Sequence, residues 1–296
     1  DKRDKANGLL GMSSGIAFLI VSVISGILVG QSGMNGVLIF SMLITIITIV
    51  HLLILRIRDS QEDVSVSLSQ GKKETIEPSV STIRFMKSVP GLLSLVLFST
   101  FNNFLGGVFM ALLDAYGLSL VNVEVWGILL ALIGTSFIFG GIFISKFGLG
   151  NKPLRALFLA NIVIWVICSI FTIPTTIISL VIGMFIYLMV VPFIEAAEQT
   201  IIQKVVPHER QGRVFGFAQS VEQAASPITA FFIGPITQII FIPFMSDGGT
   251  GANLIGSWFG IGSARGIALV FTLTGILGLV VTVIAMKSSF YKNLSL

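Results

Sequence analysis

The sequence predicts an all-α integral membrane protein with about eight transmembrane helices. Only 11% of its 296 residues are charged and 54% are hydrophobic, whereas a soluble domain has about 25% charged residues. Its mean hydropathy of +0.97 is typical of a chain that crosses a membrane repeatedly. The long apolar runs lack the two-residue alternation of a barrel strand, so helices are the structure that can satisfy their backbone in lipid.

Eight apolar segments come close to the roughly 20 residues that a helix needs to cross a bilayer. They are residues 9–30, 36–56, 91–115, 123–145, 154–173, 178–203, 213–243 and 265–286. The polar segment 57–89 between the second and third spans predicts a cytoplasmic linker, with a short interfacial helix in its last part, TIRFMKSVP. The glycine-rich stretch SDGGTGANLIGSWFGIGS predicts a loop that rests at the outer membrane interface.

The basic residues indicate the orientation of the chain. If the N-terminus is cytoplasmic, 17 of the 18 Lys and Arg residues fall in inside loops, and only Arg265 lies outside. This asymmetry follows the positive-inside rule, and eight spans place both ends of the chain in the cytoplasm. The net charge of +4 therefore reflects topology rather than a nucleic-acid partner.

The sequence lacks the motifs of several classes of chemistry. There is no G-x-x-x-x-G-K-[ST] phosphate-binding loop, which argues against ATP as the energy source. His51 and His208 are far apart in sequence and Cys168 is the one cysteine, so no metal site or disulfide framework is predicted. The expectation is a protein that is not an enzyme and carries no cofactor.

Three carboxylates interrupt the predicted spans away from their ends. Ionisable groups inside a span are costly and are functional candidates by default. Glu195 and Glu198 are three residues apart and share a helix face, and Glu222 lies on the next helix. They are candidates for proton coupling. The alternative is a structural set of ion pairs with Lys204, Arg210 or Arg213.

Polar amides continue these stripes. Asn102 and Asn103 lie in the middle of the third span, where they could line a substrate cavity or bond to a neighbouring helix. Gln199 follows Glu198 and Gln223 follows Glu222, and both are further candidates for the cavity lining.

Two polar turns carry a resemblance to a known family. In GIFISKFGLGNKPLRAL the pattern G-x-x-x-S-K-x-G resembles the loop signature of the major facilitator superfamily, G-x-x-x-D-R-x-G-R-[KR], with Ser145 at the usual Asp and Lys146 at the usual Arg. The phrase VVPHERQGRVFGF is similar to a turn of its drug-efflux branch, which includes macrolide and enterobactin exporters. The resemblance implies that these turns help to gate the protein, through Gly141, Ser145, Lys146, Gly148, Glu209, Arg210, Gly212 and Arg213. For the turn at Ser145 and Lys146, the open alternative is a basic anchor at the inner membrane surface.

The resemblance also implies an arrangement of the whole chain. Residues 1–57 would be the last two helices of a first half, residues 58–89 the central linker and residues 90–296 a complete six-helix second half. Four N-terminal helices would then be missing from this chain.

Both ends of VVPHERQGRVFGF are apolar, so we expect a short inside turn in which Pro207 ends one helix and Gly212 lets the backbones approach.

The activity implied by the resemblance is secondary transport. A proton-coupled exporter of drugs or other small amphiphilic molecules in a bacterial plasma membrane is expected, with the bilayer, the substrate and protons as its partners. A siderophore or nutrient transporter of the same fold is one alternative. An inactive, truncated membrane remnant is another.

Overall fold

The computed structural model describes residues 2–54, 78–288, 291 and 294. Helices account for the regular structure in these residues, and no strand occurs among them. The chain forms two compact units, one of Ile20–Ser81 and one of Asp1–Leu19 with Thr82–Leu296. Most of the predicted linker, residues 55–77, lies outside the described residues.

The first helix, α1 (Lys2–Ile54), is interrupted at Gly33. Gly33 has φ 66°, a left-handed conformation that costs glycine little and other residues more. After the break, Asn35–Ile54 is long and apolar enough to cross a membrane, in agreement with the predicted span 36–56. The predicted span 9–30 falls before the break, where few side chains are described.

The remaining helices follow in chain order and are named here by their bounds. They are α2 (Pro78–Ser88), α3 (Leu92–Leu118), α4 (Val123–Phe147), α5 (Pro153–Ile170), α6 (Ile177–Val205), α7 (His208–Ile236), α8 (Thr250–Phe259) and α9 (Ser263–Lys287). A π-helical turn, Thr237–Phe241, and the short helix Ile242–Met245 prolong α7. Seven helical segments of the described chain are long and apolar enough to span a membrane, which supports the multi-spanning prediction.

Helices α3 to α7 and α9 pack as one bundle. Its most extensive contacts join α3 to α7, α4 to α6, and α5 to both α6 and α9. Glycine permits the closest approaches: a Cβ on Gly107 would collide with the Ser226 carbonyl oxygen, and one on Gly140 with the Met189 carbonyl oxygen. Close backbone contact through small residues is how membrane helices associate without a hydrophobic driving force.

The turn that we predicted around Gly212 is shorter than expected. Helix α6 ends at Val205 and α7 begins at His208, so the predicted span 213–243 starts five residues too late. His208 to Gly212 form the first helical turn because Pro207 presets φ for the residue before a helix. A Cβ on Gly212 would meet no atom within 4 Å, and the expected close backbone approach at this glycine is therefore wrong.

The glycine-rich stretch that we predicted as an outer loop is not simply a loop. It contains α8, which begins after Gly249 and ends at Gly260, where φ is 93°. The helix is amphipathic: Trp258 is 64% exposed and Phe259 only 2%. An aromatic pair with one buried and one exposed member is suited to a membrane interface. The predicted loop conformation is wrong, and the location at the outer interface stays a prediction.

The helix predicted at the end of the linker is present as α2. Arg84 and Lys87 are exposed, while Met86 is buried in a core cluster with residues of α3, α5, α6 and α7. Helix α2 therefore packs on the bundle. At the same end, the Tyr291 hydroxyl donates to the Ser94 carbonyl oxygen at 3.0 Å, and burial raises the pKa of the Tyr291 phenol.

Arg265 holds the opposite end of the bundle together. Its Nη1 donates to the Thr172 carbonyl oxygen at 2.9 Å and to the Tyr116 hydroxyl at 3.4 Å, and its Nη2 donates to the Ile173 carbonyl oxygen at 3.0 Å. The guanidinium carbon lies 4.3 Å from the centre of the Phe259 ring. One side chain thus connects α3, the α5–α6 turn, α8 and α9.

Candidate functional site

A polar cavity of about 350 Å³ lies among α3, α5, α6 and α7. Each helix contributes one stripe of residues, three or four apart, because that spacing returns to the same helix face. The lining consists of Ser99, Asn102, Asn103 and Gly106; Asn161, Ile164 and Trp165; Tyr187, Val191, Ile194, Glu195, Glu198, Gln199 and Ile202; and Phe215, Ala218, Gln219, Glu222 and Gln223. All the residues predicted for proton coupling or substrate contact line it.

Two buried carboxyl groups meet in the cavity wall. Glu198 of α6 and Glu222 of α7 are each 9% exposed, and their carboxyl groups are neighbours, with the Ser99 hydroxyl of α3 beside that of Glu198. The Oε1 atom of each glutamate is buried and makes no hydrogen bond within the described residues. Glu195 lies on the same side of α6 and is exposed to the cavity.

The surroundings of these glutamates contain negative rather than positive charge. The charged groups that act on Glu198 and Glu222 are each other and Glu195. In the described part of the chain, no Lys or Arg is among them. Arg210 instead lies with its guanidinium carbon 4.8 Å from the centre of the Phe85 ring of α2. The geometry therefore does not favour the alternative of a structural ion-pair set.

Asn102 is held by a hydrogen bond between two helices. The Trp165 indole Nε1 of α5 donates to Asn102 Oδ1 at 2.8 Å, and Asn102 Nδ2 donates to the Phe98 carbonyl oxygen at 2.8 Å. Asn103 makes a single bond of this kind, from Nδ2 to the Ser99 carbonyl oxygen at 3.1 Å. Asn102 therefore fixes the tryptophan in the wall, and Asn103 is the freer of the two amides.

Sequence reasoning missed several residues of the wall. Ser99, Asn161, Trp165 and Tyr187 line the cavity but are separated in sequence by long apolar runs. One signal could have identified part of the set: Asn161 and Trp165 are four apart in the middle of a span, with the spacing of a helix face. The rings add an aromatic wall, in which Tyr187 packs against Phe109 with centroids 5.8 Å apart.

The first predicted gating turn lies away from the polar cavity, since none of its residues lines it. Gly141 and Ser145 are inside α4, where Ser145 Oγ donates to the Ile142 carbonyl oxygen at 3.0 Å. Lys146 is exposed in the last turn of α4, and Gly148, with φ 69°, ends the helix. Of the four residues, only Gly148 belongs to the turn itself.

The second predicted gating turn is mostly helical. All four predicted residues lie in the first turns of α7 and are exposed: Glu209, Arg210, Gly212 and Arg213. The residue that ties the turn together was not predicted. Gln211 Nε2 donates to the carbonyl oxygens of Gln203 at 3.1 Å and Val206 at 3.0 Å, and so caps the C-terminal end of α6.

The described residues do not meet the requirements of a metal site. No group of three or more His, Cys, Asp or Glu side chains there could hold a metal ion. The family model described as Major Facilitator Superfamily matches residues 1–230. The chain belongs to the major facilitator superfamily. No curated protein and no solved structure shows a significant match to it.

Membership of the superfamily establishes the general nature of the protein. Members of the major facilitator superfamily are transporters rather than enzymes. With seven apolar helices in its described residues, the protein is a multi-pass membrane transporter whose surroundings are a lipid bilayer and whose substrate is a small molecule. The predicted fold class and general function are confirmed at this level.

Proposed function

We propose that the protein couples proton movement to the efflux of small amphiphilic molecules, and that Glu198 and Glu222 carry the proton. The observation that supports this is the pair of adjacent, buried carboxyl groups in the cavity, with no cation beside them in the described residues. Two neighbouring carboxylates in a low-dielectric site repel each other strongly. The pair is therefore most stable when it shares a single proton.

The position of the pair allows that proton to respond to substrate. Glu198 is on α6 and Glu222 on α7, and Glu195 extends the acidic surface into the open part of the cavity. A substrate that brings positive charge or a hydrogen-bond donor to this surface stabilises the deprotonated pair. Binding of substrate then favours release of the proton, which is the exchange that an antiporter needs.

The rest of the lining favours an amphiphile. The amides of Asn103, Gln199, Gln219 and Gln223 can bond to polar groups, while Trp165, Tyr187 and Phe215 provide aromatic surface. No Lys or Arg occurs among the described lining residues. Apolar and aromatic walls with a few placed polar groups are typical of small-molecule sites, and the absence of basic lining disfavours anionic substrates.

The test is transport by the protein and its glutamate variants in proteoliposomes under an imposed pH gradient. Ethidium is the first probe, and a pH-sensitive dye inside the vesicles reports proton movement. We expect Glu222→Gln and Glu198→Gln to abolish ethidium-coupled proton movement, because an amide cannot exchange the proton. Glu124→Gln, which changes an exposed acid in the first turn of α4, is the matched control.

Three results would distinguish the possibilities. Coupled movement by the native protein and the control, lost in both cavity variants, supports the proposal. Ethidium transport that is unaffected by the pH gradient and by both variants contradicts proton coupling at this pair. No transport across a broad panel of drugs, with a properly inserted protein, contradicts drug efflux and leaves a siderophore, a nutrient or no substrate.

A further inference from the structure

A second depression in the bundle is apolar and larger than the polar cavity. It has a volume of about 670 Å³ and lies between α4, α5 and α6. Part of its wall is aromatic: the Phe143 ring has its centroid 4.7 Å from that of Phe147 and 5.6 Å from that of Phe193. Phe143 is 51% and Phe147 68% exposed, so this groove opens on the outside of the bundle.

One charged side chain, Lys146, is present among the described residues that line the groove. It stands in the last turn of α4, next to Phe147 and Gly148. The following turn and the start of α5 add Lys152 and Arg155, both exposed. The groove is therefore a hydrocarbon-like trough with positive charge gathered at one end.

These cations have no acidic residue nearby in sequence to neutralise them. Residues 125–194, which include the whole groove, contain Lys146, Lys152 and Arg155 but no Asp or Glu. Helix α5 has no acidic residue in its first turn, and its N-cap residue, Lys152, makes no side-chain cap hydrogen bond. A helix N-terminus of this kind favours negative charge, in addition to the three basic side chains.

We propose that this groove binds an anionic phospholipid of the surrounding bilayer. One acyl chain lies against Phe143, Phe193 and Val163, and the phosphate lies at Lys146, with Lys152 and Arg155 nearby. Basic pockets between transmembrane helices are known to accept anionic lipid headgroups. The occupant follows from the charge: a zwitterionic lipid would fill the trough equally well but would use the cations poorly, and an amphiphilic cation would be repelled.

Native mass spectrometry of the intact protein tests this proposal. Detergent-purified protein is titrated with an equimolar mixture of phosphatidylglycerol and phosphatidylcholine that carry the same acyl chains. We expect bound phosphatidylglycerol to exceed bound phosphatidylcholine by about fivefold, the factor expected for one cation near an anionic headgroup. Lys146→Gln should reduce this preference to near unity, and Lys146→Arg should retain it because the charge is kept.

Matched variants on another helix control for charge and bulk. Lys287→Gln removes an exposed lysine from the last turn of α9 and should leave the fivefold preference intact. Val163→Trp fills the groove and should reduce retention of both lipids. Ile276→Trp, at a position of α9 that is 47% exposed against 42% for Val163, should not.

Specific outcomes overturn the proposal. Equal retention of the two lipids by the native protein removes the charge argument. An equal loss of preference in Lys146→Gln and Lys287→Gln shows a general surface effect rather than a site. A dimer mass that Val163→Trp abolishes identifies a second copy of the chain as the occupant. Size-exclusion profiles show whether each variant is folded. If Lys146→Gln is not folded, the comparison of phosphatidylglycerol with phosphatidylcholine on the native protein and on Lys146→Arg still tests the charge preference.

Discussion

Two places in the same bundle bury ionisable side chains, and the two places differ in the polar neighbours that surround the buried groups. Arg265 is 4% exposed and donates to two carbonyl oxygens and a phenol from α3 and the α5–α6 turn. Glu198 and Glu222 are nearly as buried at 9%, yet each keeps a carboxyl oxygen without a hydrogen bond in the described residues. Within the part of the chain that the structure describes, both terminal nitrogens of Arg265 have oxygen acceptors, although its Nε has none, whereas the two carboxyl groups have only the Ser99 hydroxyl and each other as polar neighbours.

The difference distinguishes a charged group with a structural role from ionisable groups that are candidates for a functional role. A buried cation surrounded by fixed oxygen atoms stabilises one arrangement of helices and has little reason to change. A buried acid pair with no cation beside it in the described residues is costly, and a protein gains nothing in stability from keeping it. The cost is reasonable if the pair must exchange a proton or meet a substrate. Four predictions test this comparison, from the largest expected effect to the smallest.

Removing the guanidinium should be the most damaging change. Arg265→Met leaves the Thr172 and Ile173 carbonyl oxygens without their donors, and hydrogen bonds to a charged group are worth about 1.5–3 kcal/mol each. We expect the free energy of unfolding to fall by about 3–5 kcal/mol, measured by thermal or denaturant unfolding in detergent. Arg265→Lys should recover only part of this, because one ammonium cannot reproduce the guanidinium fork. A fully stable Arg265→Met protein would contradict the structural role.

Two neighbouring glycines of α3 offer a matched pair. A Cβ on Gly107 would collide with the Ser226 carbonyl oxygen of α7, whereas on Gly106 the nearest atom is the Tyr187 hydroxyl oxygen at 3.8 Å. Gly107→Ala should destabilise the protein by about 2 kcal/mol through overpacking, and should also weaken transport by moving α3 from α7, which carries Glu222. Gly106→Ala should be neutral or slightly stabilising, since alanine favours a helix. Similar unfolding curves for the two variants would contradict the contact.

Neutralising one member of the acid pair should not lower the free energy of unfolding, in contrast to removing the guanidinium of Arg265. Glu222→Gln replaces the shared proton with an amide N–H donor to Glu198, so we expect unchanged stability near neutral pH. At higher pH, where the native pair would lose its proton and the two carboxylates would repel each other, we expect a gain of about 1 kcal/mol. Thermal unfolding in detergent beside Glu124→Gln measures this. A loss as large as that of Arg265→Met would show that the pair is structural after all.

The smallest effect concerns the amide that positions the tryptophan. Asn102→Leu removes the acceptor of the Trp165 indole N–H, and should cost about 1 kcal/mol of stability. Asn103→Leu, which breaks only a bond within α3, is the control and should cost less. The two unfolding midpoints measure the difference, and tryptophan fluorescence should respond to Asn102→Leu alone. Equal shifts in both variants would remove the positioning role of Asn102.

The helices and part of the cavity were predictable because their signals are local. Runs of apolar residues bounded by Pro, Gly and basic residues indicate where a helix crosses lipid, and the described helices agree with the predicted spans from 36–56 onward to within a few residues except at α7. The polar lining was predictable where polar residues interrupt those runs, as at Asn102, Glu198 and Glu222. Such groups stand out because lipid makes them expensive.

The errors came from residues whose local preference was overruled by context. The glycines around Leu254 and Trp258 indicate a loop, but one apolar face of this segment packs against the bundle and stabilises α8. Gly212 was expected to serve close packing, yet open space surrounds it, whereas Gly107 and Gly140 make the close contacts. A glycine in a sequence does not show whether another backbone approaches it.

By itself the sequence determined that this chain is a helical membrane protein. Most charged residues lie at the ends of its membrane spans, and a few polar residues lie inside the spans. These properties follow from transfer free energies of single residues and need no knowledge of their neighbours. Only the tertiary structure decided which of the polar residues meet. Glu198 faces Glu222, Asn102 binds Trp165, and Arg265 finds the Thr172 and Ile173 carbonyl oxygens because the rotation of each helix about its axis depends on side-chain packing along the whole interface.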